Sequence, residues 1–412
     1  MRPANETTVL LRNARIVLPE QVAQSANLVI EDGRIARIFD ANSERSPATD
    51  SDWDLTGLTL FPGLIDVHIH GAAGVDTMDA GTDDLRRVGE FLVRNGVTAW
   101  LPTLVPSAPE KYQQAIRVIT EVISAQAEEL GPSVLNADKM SAPPAATARV
   151  LGVHYEGPFV NNEQCGALHR EHFRTFKNST DIDGLPAINH QSAIHLMTLA
   201  PEIDGGIELI SELRRRGWIV SIGHTRATVE VLDEALEAGA HHMTHFMNAM
   251  PPLHHRAPGP VGWGLTRDEV TCDVIADGVH LDPLVLKLIL RTKTSKRISL
   301  ISDAIAATGL GDGEYRIWGE QITVKDGRTR NAKGSIAGSV ITMHDAARMM
   351  LSLGASESDV ARMTSLNPAR LLGIDQHYGS IEVGKRADLV ALDSERNVRV
   401  TIIAGQVMDS QE

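Results

Sequence analysis

The chain has 412 residues, of which 42% are hydrophobic and 22% charged, proportions that are ordinary for a globular protein. Its formal net charge of −14 opposes binding to a phosphate backbone, so no nucleic-acid partner is expected. No run approaches the ~20 apolar residues of a membrane span, and the first residues lack the features of a signal peptide. Two cysteines, Cys165 and Cys272, are too few for a disulfide framework. These features predict a cytoplasmic protein with no membrane partner.

Both ends of the chain have the pattern of short β-strands. Near the N-terminus the strand-like runs lie at 8–17, 27–39 and 54–61, and Gly33 marks a hairpin turn between two strands. The last forty residues contain similar runs. We therefore predict a small β-sandwich domain built from both termini, over residues 1–60 plus 375–412.

The middle of the chain, residues 61–374, is a series of short apolar runs separated by helix-like segments. The runs lie at 64–70, 97–103, 150–157, 194–202, 218–225, 242–250, 272–278 and 298–304. The segment 82–96 has an N-cap candidate at Thr82 and ends at Gly96, and the segment 225–240 repeats this pattern. Eight such units predict an α/β fold, a (β/α)8 TIM-type barrel.

Polar side chains end most of the apolar runs. They are His68, His70, Thr103, Glu156, Glu202, His224, His245, Asp277 and Asp303. Barrel enzymes assemble their chemistry at the C-terminal ends of several strands. His68 and His70 would point to the same face of a strand, and imidazole is the commonest protein ligand for transition metals. The pattern predicts a site that binds metal or moves protons.

Longer motifs surround these residues. They are HIH (68–70), HYEGPF (154–159), SIGHT (221–225), THFMNAMPPLHHRAPG (244–259), IADGVH (275–280) and ISDAIAATGLGDG (301–313). Together they resemble the N-acetylglucosamine-6-phosphate deacetylases of the amidohydrolase superfamily. The resemblance runs from about Gly57 to the GKRADLV segment near residue 385. It implies a barrel with a β-sandwich from both termini, in agreement with the strand pattern.

The resemblance implies a divalent metal site. Glu156, His224 and His245 match the main ligands of the family, and one carboxylate with two imidazoles leaves a position open for water. His68 and His70 match a pair that supports a second metal in part of the family, so one or two ions per subunit are expected. Zinc suits the ligand set, and iron or manganese would also accept it.

Asp303 falls where the superfamily carries its acid/base carboxylate. The mechanism that the resemblance implies is hydrolysis of the acetamide of N-acetylglucosamine 6-phosphate to glucosamine 6-phosphate and acetate. Asp303 would take a proton from the attacking water and return it to the departing amine, while the metal acidifies the water and polarises the carbonyl.

Recognition of the sugar phosphate is implied at further positions. They are Asn248 and the backbone of Ala249, His280, Arg256 from a second subunit of a homodimer, and Ala167 and His169 of the loop after EGPF. This loop departs from the family pattern, because CGALHRE places Leu168 where a histidine is usual and His169 one residue later. Either His169 serves through a shifted loop or the contact is lost. The segment 331–343 resembles a lid over the sugar.

Three alternatives stay open at this point. The first is deacetylation of N-acetylgalactosamine 6-phosphate by the same chemistry. The second is ring opening of the dihydroorotase or hydantoinase type, which uses a carbamylated lysine; the runs 150–157 and 194–202 contain no lysine. The third is a sugar-phosphate binder without catalysis, which would not need the set of Glu156, His224, His245 and Asp303.

Overall fold

The computed structural model describes residues 8–41, 49–129 and 147–409. These residues form a nearly closed parallel barrel and a mixed sheet to which both ends of the chain contribute. The predicted TIM-type barrel with a β-sandwich domain from both termini is thereby confirmed. The predicted domain boundaries stay a prediction, and residues 1–7, 42–48 and 410–412 of the smaller domain lie outside the described residues.

The mixed sheet begins with five strands. They are β1 (Thr8–Val17), β2 (Val22–Glu31), β3 (Arg34–Asp40), β4 (Ser51–Asp54) and β5 (Thr59–Pro62). β1, β2 and β3 pair antiparallel, whereas β4 and β5 run parallel to β1. Gly33 lies in the turn between β2 and β3 with φ +73°, which glycine adopts at little steric cost, so the predicted hairpin is confirmed.

The barrel occupies the middle of the chain. β6 (Leu64–Ile69) opens it, and a short ribbon of β7 (Gly71–Ala72) and β8 (Val75–Asp76) follows. The other barrel strands are β9 (Val97–Leu104), β10 (Arg149–Val150), β11 (Gly152–Glu156), β12 (Ile194–Leu199), β13 (Ile219–Ile222), β14 (His242–Met243), β15 (Thr271–Ile275) and β16 (Ile298–Ile301). β10 and β11 together fill the third position. All eight residues of β9 are buried, as expected when both faces of a parallel strand are covered.

Backbone hydrogen bonds just beyond the strand ends join the last strand of the barrel to the first. The N–H of Asp303 donates to the C=O of His68 at 3.0 Å, and the N–H of His70 donates to the C=O of Ala304 at 2.8 Å. The barrel therefore closes next to the residues from which the sequence predicts a catalytic site.

Helices cover the outside of the barrel. They are α1 (Thr82–Arg94), α2 (Pro109–Glu129), α3 (Gly206–Arg215), α4 (Val229–Glu237), α5 (Gly259–Thr266), α6 (Pro283–Lys293), α7 (Met343–Ser352), α8 (Glu357–Ala361) and α9 (Asn367–Leu371). A π-helical turn, Arg362–Leu366, joins α8 to α9. Within the described ranges, every helix is too short or too polar to span a lipid bilayer.

One predicted helix start was wrong. The N-cap of α1 is Gly81 rather than Thr82, and the N–H of Gly81 donates to the Asp84 carboxylate at 2.9 Å. The segment 225–240 contains α4 as predicted, and its N-cap is Thr228, whose side chain accepts the N–H of Val231.

Two further groups of strands complete the structure. β17 (Gly313–Ile317), β18 (Glu320–Lys325) and β19 (Arg328–Asn331) form an antiparallel sheet between β16 and α7 that the sequence pattern did not predict. β20 (Leu389–Leu392), β21 (Val398–Ile403) and β22 (Gln406–Asp409) return to the terminal sheet, where β20 pairs antiparallel with β5.

Candidate active site

Ionisable side chains converge at the C-terminal end of the barrel. Glu156 is the last residue of β11, and His224, His245 and Asp303 lie two residues beyond the ends of β13, β14 and β16. These last three residues have positive φ values of 48°, 32° and 50°. Non-glycine residues in this region carry a strain of about 1–3 kcal/mol each, so the surrounding structure must hold them there. The strain coincides with the candidate site.

The first group of side chains consists of Glu156, His224 and His245. Oε1 of Glu156 lies 2.9 Å from Nε2 of His224 and 3.0 Å from Nε2 of His245. The two Nε2 atoms are themselves only 3.1 Å apart. All three residues are buried, so water does not separate these atoms.

The second group contains His68, which lies in β6, and His70, which directly follows this strand, together with Glu156. Nε2 of His68 and Nε2 of His70 are 3.2 Å apart, and Nε2 of His70 is 3.3 Å from Oε2 of Glu156. Oδ1 of Asp303 lies 3.4 Å from Nε2 of His68 and 3.2 Å from Nε2 of His70. Glu156 is therefore shared between both groups, and Asp303 faces the second.

The electrostatics of the cluster favour a cation. Burial opposes the charged form of His70, but contacts with Asp303 and Glu156 overcome it and raise the pKa of His70 to about 10. Burial likewise opposes the charged form of His245, and Glu156 raises its pKa to about 9. Burial would raise the pKa of Glu156, yet the surrounding histidines hold it well below its usual value. The carboxylates of Glu156 and Asp303, which stabilise the charged imidazoles, would also attract a metal ion.

The residues present fit a divalent metal. Two groups, His68 with His70 and Glu156, and Glu156 with His224 and His245, each place their ligand atoms within 4.8 Å of one another. The Nε2 atoms of His68 and His70 are at hydrogen-bond distance from each other, and so are those of His224 and His245. A metal ion bound between the two atoms of a pair would accept the lone pair of each nitrogen. Nδ1 of His224 lies 2.7 Å from the C=O of Gln164, which fixes the tautomer that leaves Nε2 free to bind metal.

A cavity of about 300 Å³ opens above this cluster. It is lined by His70, Glu156, Gly166, Ala167, Leu168, His224, His245, Asn248, Ala249, His280, Asp303, Trp318, Ser335, Ile336 and Gly338. The structure thus brings Asn248, Ala249, His280 and Ala167 together with the ionisable cluster, as the sequence predicts. His68 does not line the cavity, but its Nε2 lies 3.2 Å from Nε2 of His70, which does.

Two predicted substrate-binding residues do not line this cavity. Nδ1 of His169 lies 3.2 Å from Oε1 of Glu171, and Leu168 lines the cavity, so a role of His169 in substrate binding stays a prediction. Leu168 is only 8% exposed, because burying its apolar side chain in the cavity wall lowers the free energy relative to exposing it to water. Arg256 is exposed and lies outside the cavity of its own chain, so its predicted contact across a homodimer stays a prediction.

The segment 331–343, which the sequence predicts as a lid, borders the cavity. The second half of this segment is hydrogen-bonded to the backbone just after β16, where the N–H of Ser339 donates to the C=O of Asp303 at 2.7 Å. Gly338, with φ +55°, is needed at this point, since a Cβ there would stand 2.9 Å from the C=O of Asp303. Residues 332–335 are exposed and make the outer edge.

Sequence reasoning missed two residues of the site. Asp277 was noted only as a strand end, yet its Oδ2 lies 2.7 Å from Nδ1 of His280. Trp318, in the turn between β17 and β18, lines the cavity, and its ring centroid is 5.1 Å from that of His70. The turn sequence ADGVH could have indicated the first pair, because an aspartate at the start of a turn commonly accepts the backbone N–H groups that follow it. No local signal indicates Trp318.

The fold and this site define a hydrolase of a known superfamily. The model of the amidohydrolase family matches residues 59–408, and the chain belongs to this family. The site supplies the histidine and glutamate ligands for a divalent metal.

Individual relatives cover almost the whole chain. N-acetylglucosamine-6-phosphate deacetylase of Bacillus subtilis (strain 168) is 35% identical over 403 residues, 97% of each chain. N-acetylgalactosamine-6-phosphate deacetylase of Escherichia coli O157:H7 is 36% identical over 401 residues, 97% of this chain and 99% of the relative. The solved N-acetylglucosamine-6-phosphate deacetylase of Pasteurella multocida matches with a TM-score of 0.85 and 29% identity, over 98% of this chain and 100% of the other.

Proposed function

We propose that this protein is a metal-dependent deacetylase that hydrolyses N-acetylglucosamine 6-phosphate to glucosamine 6-phosphate and acetate, in the cytoplasmic metabolism of amino sugars. The observation that carries the proposal is the meeting of Glu156, His224, His245 and Asp303 at one cavity with uncharged donors around it. Relatives named for this reaction, similar over 97% of the chain, support it.

In this proposal Glu156, His224 and His245 hold one divalent ion, and His68 and His70 with Glu156 hold a second. We propose zinc, because nitrogen and oxygen ligands with an open position are typical of catalytic zinc sites, while iron or manganese would accept the same atoms. When bound, the metal polarises the acetyl carbonyl and makes water more acidic.

Asp303 moves the proton. Asp303 lines the cavity and its side chain is 11% exposed, so it is reachable from the substrate side. Oδ1 takes a proton from water as the water oxygen adds to the carbonyl carbon. The same carboxyl then gives this proton to the sugar nitrogen as the C–N bond breaks, which balances the addition of water across the amide.

The remaining cavity residues bind and orient the amino sugar phosphate. Asn248 and the backbone of Ala249 donate to phosphate oxygens, and Ala167 and His280 contact the sugar. Arg256 completes the phosphate site from the partner in a homodimer, because a guanidinium fork bonds two oxygens at once. The segment 331–343 and Trp318 close the cavity and exclude water.

The galacto epimer is the second candidate. The relative from Escherichia coli O157:H7 is named for N-acetylgalactosamine 6-phosphate and is as similar as the gluco-specific relative. Ring opening by a carbamylated lysine is disfavoured, since the residues that line the cavity include no lysine.

The test is release of acetate from each epimer by the metal-loaded enzyme. Preference for the gluco sugar supports the proposal, and preference for the galacto sugar keeps the mechanism and changes the substrate. Absence of turnover of both sugars with metal bound would refute the deacetylase assignment.

A further inference from the structure

A second large cleft lies at the N-terminal end of the barrel, opposite the candidate active site. Its volume is about 290 Å³, similar to that of the cavity above the metal ligands. It is lined by Arg214, Ile219, Val220, Gly239, His241, His242, Glu269, Thr271, Lys296, Ser299, Asn367, Arg370 and Leu371. Ile219, His242 and Thr271 begin β13, β14 and β15, which places the cleft at the strand starts.

The rim of this cleft is positively charged in a chain whose net charge is −14. Arg214, Lys296 and Arg370 contribute cations, and Glu269 is the carboxylate among the lining residues. Among the described residues, the Lys296 ammonium makes no ion pair, and Arg370 has only a long one of 3.9 Å to Asp375. Lys296 and Arg370 therefore keep most of their capacity to bind an anion, whereas Nη1 of Arg214 already donates to the C=O of Trp218 at 2.9 Å.

One of the residues that line the cleft, Asn367, has a buried acceptor without a partner. The Nδ2 group of Asn367 donates to the C=O of Ser295 at 2.7 Å and to that of Ile298 at 2.6 Å, which uses both hydrogens and fixes the orientation of the amide. Its Oδ1 is buried and has no hydrogen-bond partner within the described part of the chain. A buried carbonyl without a donor costs about 1–3 kcal/mol, so a donor on a ligand would stabilise it.

The local backbone is unusual as well. Asn367 directly follows the π-helical turn Arg362–Leu366, and such turns occur frequently at functional sites.

On the wall of the cleft, Nδ1 of His242 lies 2.7 Å from the Thr271 hydroxyl, and its Nε2 lies 3.1 Å from Oδ2 of Asp273. The other oxygen of Asp273 accepts from the N–H of His245. A chain of hydrogen bonds therefore connects the cleft to a candidate metal ligand.

We propose that this cleft is a second ligand site, which binds a small phosphomonoester that carries hydroxyl groups. The rim cations pair with the phosphate dianion, for which guanidinium groups are well suited. A hydroxyl of the ligand donates to Oδ1 of Asn367. The site is separate from the proposed active site and does not depend on the proposed reaction.

The test is calorimetric titration of the metal-loaded full chain with glycerol 3-phosphate and with methyl phosphate. The cleft variant replaces two rim cations, Lys296→Ala with Arg370→Ala. A matched control removes the same two charges from exposed positions elsewhere, Lys287→Ala with Arg117→Ala. Circular dichroism and thermal unfolding establish that both variants fold.

We expect the cleft variant to lose one binding event, or to weaken it at least about tenfold, while the control binds like the wild type. Glycerol 3-phosphate should bind the cleft about fivefold more tightly than methyl phosphate, because only it supplies the hydroxyl for Asn367. Identical isotherms for the cleft variant and the control would overturn the proposal. A binding event whose affinity is the same in the cleft variant and the wild type belongs to a site other than the cleft, so failure of this proposal is distinguishable from failure of the proposed function.

Discussion

Oδ2 of Asp277 lies 2.7 Å from Nδ1 of His280, and Oδ1 of the same carboxylate accepts the backbone N–H groups of Val279 and His280, each at 2.8 Å. These contacts hold the pKa of Asp277 below its usual value against the effect of burial. The carboxylate therefore positions the ring of His280 at the cavity wall and selects its tautomer. Asp277 does not line the cavity itself and acts through its neighbour.

Asp277→Asn should raise KM for the sugar phosphate about tenfold with a smaller effect on kcat. The amide still accepts from the two backbone N–H groups, but its NH2 group faces the ring and no longer holds the Nδ1 proton. Steady-state kinetics measure the split between KM and kcat. If KM is unchanged, His280 does not depend on Asp277 for its position.

Asp303→Asn should lower kcat by about 10²–10⁴-fold, because an amide cannot take a proton from water. Metal content should stay that of the wild type, as measured by elemental analysis of the purified protein. Asp312→Asn, which changes an exposed carboxylate outside the cavity, is the control and should keep full activity. Substantial turnover by the Asp303 variant would assign the proton transfer to another group.

Glu156→Gln should deplete metal at both candidate positions, since its carboxylate is common to the two groups of ligands. His70→Ala, by contrast, should spare the ion held by Glu156, His224 and His245. Elemental analysis gives the metal per chain for each variant, with Glu110→Gln as an exposed control.

Chelation of the wild type should abolish turnover and lower the thermal midpoint, and added zinc should restore both. A metal at 100-fold its Kd stabilises the folded state by about 2.7 kcal/mol. A Glu156 variant that retained its full metal content would refute the shared-ligand arrangement.

His195 should make the stability of the protein depend on pH. Burial lowers the pKa of His195 to about 4, and Nε2 accepts the N–H of Ile188 at 2.8 Å. The unfolded state has the ordinary pKa of about 6.5, so it binds the proton more readily than the folded state. The stabilisation is therefore complete above pH ~6.5 and is lost progressively as the pH falls towards 4.

His195→Gln keeps an acceptor for Ile188 and removes the titration. Denaturant unfolding between pH 7.5 and 4.5 should show a shallower loss of stability than in the wild type. His377→Gln, at an exposed position, should behave like the wild type. The comparison isolates His195, because metal release and other titrating groups affect all three proteins. An unchanged slope in the His195 variant would contradict the prediction.

The barrel and its ionisable cluster were predictable because they depend on short-range patterns. Parallel strands buried on both faces, such as β9, appear in the sequence as apolar runs, and the polar residue that ends a run marks the catalytic side of the barrel. The positions of Glu156, His224 and His245 follow from this rule and from their motifs. Their convergence within hydrogen-bond distance is a consequence of barrel closure.

Other features depend on contacts between distant segments and were not predictable. Trp318 reaches His70 across about 250 positions of sequence, and its strands are short and partly polar. His169 and Leu168 are adjacent in a loop whose register is decided by which side chain is buried against the cavity. Helix α1 starts one residue earlier than predicted, at Thr82, where the Asp84 carboxylate of the first turn accepts the N–H of Gly81.

The backbone bond from Asp303 to His68 and the pairing of β20 with β5 each join segments that are far apart in the sequence. As the polypeptide leaves the ribosome, β5 has an unpaired edge until residues 389–392 emerge, and such an edge is open to pairing with other chains. The cluster that would carry catalysis lacks its Asp303 until the barrel seam forms. Barrel closure and a complete site therefore require the chain through Asp303, and protection of the β5 edge requires the chain through β20.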